Sequence, residues 1–213
     1  TPTSAAVLSS LVSKGYIFLL MKIMYRVIGL DVIVSTGIQD VLFVFALVGM
    51  VMGSISAIRQ TDIRRMIAFS SVAQIGYVFM GIGLGTDEGM MAATFHIFSH
   101  AVCKSMLFLA AGGLADASNN SKKFRDLRGA GFRSPIAGVA FTIGALSMVG
   151  FPFLGGFASK LNFALAAMDV GGARTMLVLI TLAISTWLNT LYFLRTVITL
   201  YRKPVPGAVY SVA

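Results

Sequence analysis

His96, His100 and Lys104 recur at every fourth residue within "HIFSHAVCKSMLF" (96–108), a stretch bounded by "GMMAAT" before it and "MLFLAAGGL" across its end. On an α-helix a step of four residues drifts only about 40°, so the three side chains form one stripe about 12 Å long. Imidazole changes charge near neutral pH, and an amine taken out of water gives up its proton more readily than an exposed one. Groups of these types, spaced this way, can pass a proton between neighbours, with water filling the gaps. Two plainer readings stand beside that one. The stripe can simply hydrogen-bond across helices, or His96 and His100 at i, i+4 can ligate zinc. Lysine is a poor zinc ligand and the sequence offers no evident third one, so no metal is expected.

Two further lysines lie in apolar surroundings. Lys14 stands in "SSLVSKGYIF", where Ser9, Ser10 and Ser13 can supply hydroxyls beside it. Lys160 follows "GFPFLGG" (150–156) in "GGFASKLNF". Pro152 removes a helical hydrogen bond and Gly155–Gly156 loosens the backbone, so a helix break is expected there. A second half-helix starting near Phe157 would put Lys160 in its first turn, at the positive end of the helix dipole. Lysine at a discontinuous helix is a recurring ion-site design in transporters, although a lysine near a helix end can also snorkel. Cys103, the single cysteine, reads as a silent buried thiol, and no intrachain disulfide is possible.

The elements that must hold these groups are membrane helices. Of the 213 residues, 57% are apolar and 12% charged, against about 25% charged in soluble domains. The apolar runs place six crossings near 4–28, 39–58, 66–85, 89–115, 134–168 and 174–201, in one all-α transmembrane domain. The fifth is a single crossing interrupted at 150–156, because each half falls short of the ~20 residues a crossing needs. No Asp or Glu lies deep in any of these runs. A charged lysine at a helix centre costs on the order of 3 kcal/mol, so Lys14, Lys104 and Lys160 are functional candidates by default.

The 17 Lys and Arg outnumber the 8 Asp and Glu, and their placement explains the excess. The connector "RQTDIRR" (59–65), the loop "DASNNSKKFRDLRGAGFR" (116–133) and the polar tail 202–213 fall on one side and carry most of the positive charge. The short loops near 29–38, 86–88 and 169–173 carry Asp31, Asp87, Glu88 and Asp169. This is the positive-inside pattern, with the basic side cytoplasmic, and it needs no nucleic-acid partner. Thr61 or Asp62 is the expected N-cap of the third helix.

Four stretches resemble one family in the same order. "TPTSAAVLSSLVSKGYIFLL" (1–20) is similar to its "APTPxSALLxxxxVKxGxYLL", and "RQTDIRRMIAFSSVAQIGYVFMGIGLG" (59–85) to its "QTDIKRLLAYSSVSQLGY". "FHIFSHAVCKSMLFLAAGGL" (95–114) is similar to "FHLxxHAxxKxxLFL", and "IGALSMVGFPFLGGFASK" (143–160) to "ALSLxGxPPLxGFxSK". The sequence thus resembles the proton-pumping antiporter-like subunits of respiratory complex I, their hydrogenase-linked relatives and the Mrp-type multisubunit cation/proton antiporters. That resemblance implies two inverted five-helix repeats, each with one broken helix. Residues 4–28 would be the last helix of the first repeat and 39–201 the whole second repeat, so the sequence looks like a C-terminal piece. It also implies that Lys14, His96, His100, Lys104 and Lys160 form a central hydrophilic axis, with Lys160 on the output side. Two departures stand out: only one proline of a Pro-Pro pair is kept, in Phe151-Pro152-Phe153, and Arg64 replaces a lysine.

Translocation of protons, or Na⁺/proton exchange, is therefore the expected function. The setting would be a lipid bilayer, a prokaryotic inner or cell membrane, among other membrane subunits such as those of an NADH:quinone oxidoreductase. The sequence has no cysteine cluster and no nucleotide-binding glycine motif, so no cofactor is expected and any redox catalysis would belong to partner subunits. Two rival readings are a non-conducting membrane scaffold and a substrate-coupled secondary transporter. The complete Lys–His–Lys set speaks against the first. The apolar "GFPFLGGF" offers few of the hydroxyls and amides that the second would need.

Overall fold

The computed structural model describes residues 1–204, so most of the tail expected at 202–213 lies outside the described residues. Those residues form helices and connecting turns. α1 runs from Pro2 to Ile28 and contains two π-helical segments, Leu8–Val12 and Ile23–Ile28. A short α2, Leu30–Thr36, occupies the stretch expected to be a loop. α3 (Ile38–Ile58), α4 (Ile63–Gly83) and α5 (Asp87–Asp116) follow. A turn of helix, α6 (Ala130–Arg133), ends the polar loop. The interrupted segment is α7 (Pro135–Val149) and α8 (Gly155–Val170), and α9 (Gly172–Leu200) closes the bundle. Five of these helices are long and apolar enough to cross a membrane, and α7 is a shorter apolar one.

The helix starts follow local chemistry. Asp62 caps α4, its carboxylate accepting from the amides of Arg64 (2.8 Å) and Arg65 (3.1 Å). The hydroxyl of Thr86 accepts from Gly89 N at 3.1 Å to start α5, and Pro135 opens α7 where its missing N–H costs nothing.

The two ends of the bundle are tied separately. At the basic end the connector and the polar loop pair with each other, Ile63 N donating to Lys122 O (3.0 Å) and Phe124 N to Thr61 O (3.1 Å). The Arg195 guanidinium reaches the carbonyls of Ile58 (3.2 Å) and Gln60 (3.4 Å) at the same end. At the opposite end Arg174 pairs with Asp40 and the Tyr25 hydroxyl bonds Asp87. The interrupted segment joins the two ends. Ala137 of α7 lies against Gly113, toward the basic end of α5, while Phe163 of α8 packs on Tyr77 and His96. α7 and α8 therefore cross once between them.

The apolar core comes in two parts. One surrounds Tyr77, Ala93 and Phe163; the other surrounds Leu107, Phe141 and Phe193. Between them each long helix gives up its apolar pattern for a turn or two: Ser10 and Lys14 on α1, Ser54 on α3, Ser70 and Gln74 on α4, His100 on α5, Ser185 and Asn189 on α9. Ser159 and Lys160, just past the helix break, join them. The bundle is thus two apolar cores separated by a buried polar layer, and no Asp or Glu is among the buried residues described.

Candidate functional site: the buried polar layer

α5 is the central element, packed against α1, α4, α7 and α8. Lys104, with 0% exposure, donates from Nζ to Ile67 O at 2.8 Å and to the Ser70 hydroxyl. One turn back along α5, His100 is buried and neither ring nitrogen finds a partner within the protein. His96 stacks on His100, the ring centroids 5.7 Å apart and the planes 9° from parallel. Its Nδ1 lies 2.6 Å from the Ser159 hydroxyl, while its Nε2 has no protein partner. Ser159 then leads along the chain into Lys160. The i, i+4, i+8 stripe read from the sequence is therefore buried along its whole length, and His96 joins it to Ser159 of the broken helix. Among the described residues no cluster of three or more His, Cys, Asp or Glu side chains is placed to hold a metal ion.

Lys160 departs from the sequence reading in an informative way. α8 begins at Gly155, so Lys160 sits in its second turn, where the N-terminal dipole has largely faded. Its ammonium instead points back at α7, donating to Met148 O (3.1 Å) and Val149 O (2.6 Å). The last four carbonyls of α7 can all be accounted for. Phe151 N bonds Leu146 O (2.9 Å) and Gly150 N bonds Ser147 O (3.0 Å), a Schellman end with Gly150 at φ +96°. Lys160 takes the remaining two. It therefore both closes the break and sits beside the histidine row. One side of it faces a cleft of about 470 Å³ between α8 and α9, shared with Thr186, Trp187 and Thr190.

The break residues are where the sequence put them, with distinct roles. Pro152 follows the Schellman end and prevents the helix from continuing. Gly156 is demanded by contact: a Cβ there would stand 1.7 Å from Ser147 O, so only glycine lets α8 start this close to α7. The Ser147 hydroxyl accepts from Gly156 N (3.3 Å) and from the Cys103 thiol (3.1 Å), tying α5 to both halves of the break. Gly155 lies against the Ser99 hydroxyl. Phe153, where the family motif has its second proline, adopts φ +70°, a conformation closed to proline.

Lys14 is buried on α1 and donates to the carbonyl of Ser9, within the π-helical segment. The serine hydroxyls do not serve it as expected. Ser10 bonds Ala6 O (2.5 Å), Ser13 bonds the carbonyls of Leu8 (3.0 Å) and Ser9 (3.1 Å), and Ser9 meets Ser71 of α4 (3.1 Å). π-Helical turns are frequent at functional sites, and here one supplies the carbonyl that holds Lys14.

Several polar residues of the layer escaped the sequence reading. Tyr77 stacks on His96 at 5.4 Å, with the Lys160 ammonium 6.0 Å from its ring centroid. Ser54 meets Ser185 at 3.2 Å, and Tyr192 bonds Asn189 at 2.5 Å. The signal was available. Ser70, Gln74 and Tyr77 are spaced i, i+4, i+7, and Ser185, Asn189 and Tyr192 repeat that pattern on α9. Uncharged side chains cost far less at membrane depth than charged ones, so their pattern is a weaker signal.

Comparison with known proteins gives this arrangement a family. The family described as NADH:quinone oxidoreductase/Mrp antiporter, TM matches residues 1–186. The chain belongs to that family. It is an integral, multi-pass membrane protein. It is 36% identical, over 95% of its length, to NADH-quinone oxidoreductase subunit N of Desulforudis audaxviator, of which it spans 40%. It is 30% identical, over 80% of its length, to subunit L of Buchnera aphidicola, of which it spans 28%. Among solved structures it resembles a chain of the membrane-bound sulfane sulfur reductase, an archaeal respiratory membrane complex. The TM-score is 0.83 at 30% identity, over 97% of this chain and 41% of that one. It also resembles a chain of the Mrp complex from Dietzia sp., with a TM-score of 0.78 at 26% identity, over 94% and 36% of the two chains. The chain thus spans about two fifths or less of these relatives.

Proposed function

We propose that this chain carries protons, or exchanges Na⁺ for protons, across a prokaryotic membrane as part of a multisubunit complex of the NADH:quinone oxidoreductase or Mrp type. The observation that carries the reading is the row of buried Lys104, His100, His96 and Ser159, ending at the half-buried Lys160. It has titratable groups at successive turns, no buried carboxylate to neutralise them, and Lys160 at its end against an open cleft. A scaffold would gain nothing from holding two lysines and two histidines in an apolar bundle at a cost of about 3 kcal/mol per charge. Lys14 is buried on α1, which packs against α5, and adds a further amine to the same polar layer.

In this reading residues 4–28 correspond to the last helix of one repeat and 39–201 to the five helices of an inverted second repeat. Partner membrane subunits supply the driving reaction. The test is proton uptake by inverted membrane vesicles containing the assembled complex, followed with a pH-sensitive dye. Replacing Lys104 by Met, which keeps the length and removes the amine, is expected to abolish uptake at unchanged subunit level. Wild-type uptake in the Lys104→Met vesicles would remove the row from the pathway.

A further inference from the structure

The histidine row leaves a second set of buried polar groups unused. Starting again at Lys104, its ammonium bonds the Ser70 hydroxyl and stands 6.0 Å from the ring of Phe193, next in sequence to Tyr192. Tyr192 donates to Asn189 Oδ1 at 2.5 Å, and the same oxygen lies 3.4 Å from the Ser54 hydroxyl. Beyond Asn189 stands the hydroxyl of Tyr77, beside Ser185, Thr186 and Asn189. Thr186 lines the cleft that Lys160 faces. Ser70, Asn189 and Tyr77 have 0% exposure and Tyr192 only 2%. Two atoms of this set, Tyr77 Oη and Asn189 Nδ2, find no partner in the protein. Buried polar atoms left bare cost about 1–3 kcal/mol each, and one water between adjacent orphans removes both costs.

We propose a second, histidine-free proton route from Lys104 to the Lys160 cleft, through the hydroxyls of Ser70, Tyr192 and Tyr77, with Asn189 as its positioning residue. The proposal rests on the proton-carrying function above. Each hydroxyl accepts a proton on a lone pair and releases the one it held, so one proton enters at Ser70, one leaves at Tyr77, and no group stays ionised. The Asn189 amide cannot join such an exchange cheaply. It holds the Tyr192 hydrogen on Oδ1, an acceptor that does not hand it on, and offers Nδ2 to a water facing Tyr77. The route is closed in that geometry. It opens when the Ser70 hydrogen leaves Ile67 O (2.8 Å) for the Tyr192 oxygen and the Tyr192 hydrogen turns about its C–O bond toward that water.

Two routes sharing both ends behave as parallel conductors, and that is the test. The assembled complex in inverted vesicles is compared as wild type, His100→Ala, Tyr192→Phe and the double variant, with subunit level followed by immunoblot. Tyr→Phe removes one oxygen and leaves the packing. Each single variant is expected to lower proton uptake about twofold, and the double variant at least about tenfold, well beyond the product of the singles. Replacing Asn189 by Leu, which frees the Tyr192 hydrogen but removes the water's donor, is expected to act like Tyr192→Phe and to add nothing to it. Loss of all uptake in His100→Ala alone overturns the second route, because a parallel path would have survived. A double variant no worse than the product of the singles overturns it equally. Wild-type uptake in Lys104→Met overturns the underlying function instead, since both routes begin there.

Discussion

Replacing Lys160 separates its structural work from its proposed chemistry. Its ammonium closes two carbonyls at the end of α7. Hydrogen bonds to a charged donor contribute about 1.5–3 kcal/mol each, so the pair supplies about 3–6 kcal/mol that Lys160→Ala forfeits. Against this, the alanine no longer holds a charge at membrane depth, a relief of about 3 kcal/mol. The net loss is therefore about 0–3 kcal/mol, enough to lower the thermal midpoint of the complex but not to prevent its assembly. Proton uptake should vanish all the same. Lys160→Arg is the control, because guanidinium keeps donors for both carbonyls and does not release its proton. Stability should return in that variant while uptake stays absent. The assay pairs dye-reported uptake under an imposed membrane potential with thermal aggregation of the subunit in the same membranes. Full uptake by Lys160→Arg would refute the argument, since a group that cannot deprotonate would then be carrying the flux.

Gly156→Ala forces a Cβ to within 1.7 Å of Ser147 O and should cost at least about 3 kcal/mol, seen as loss of subunit from the membrane. Gly15→Ala, with nothing within 4 Å of its Cβ, should be tolerated. Phe153→Gly relieves a left-handed conformation and should raise the thermal midpoint by an amount corresponding to about 1 kcal/mol, whereas Phe153→Pro, which would restore the family motif, should lower it. His100→Ala should reduce proton uptake more than Phe98→Ala, because Phe98 is 64% exposed on the outer face and His100 is buried in the row. Equal uptake in the two would mean that the stripe only packs.

The helices were legible because membrane helices announce themselves by length and apolarity, and the break because Pro152 and Gly155–Gly156 can do little else. The single crossing expected for 134–168 rests on the shortness of its halves, and α7 and α8 are 15 and 16 residues long. The stripe at 96, 100 and 104 was readable because helical periodicity is strict. What one segment cannot tell is which atoms of another segment it will meet. Lys160 reaches back 11 and 12 residues to Val149 and Met148, a contact created by the turn between the half-helices. Proximity in sequence alone would give the nearby serines to Lys14. The hydroxyls of Ser10 and Ser13 turn instead to carbonyls about one helical turn away, and that of Ser9 meets Ser71.

The polar layer constrains how any proton could travel. It lies across the bundle, between two apolar cores, with α5 in the middle and Lys14 and Lys160 on two other helices packed against it. Charge moving within such a layer runs sideways, and crossing the membrane needs an opening to each face. The break between α7 and α8 suits that purpose on one side. An unbroken helix bonds its own carbonyls and shields its backbone with side chains, whereas this one ends in mid-bundle and leaves Met148 O and Val149 O to a lysine. If Lys160 gave its proton to the cleft, those two carbonyls would lose a charged donor, and the junction held by Gly150 and Ser147 would be less tightly closed. If it took up a proton from the row, the junction would be drawn shut again. In the proposed role the residue that carries the proton is thus the residue that fastens the helix, and the two states of one side chain become two states of the path.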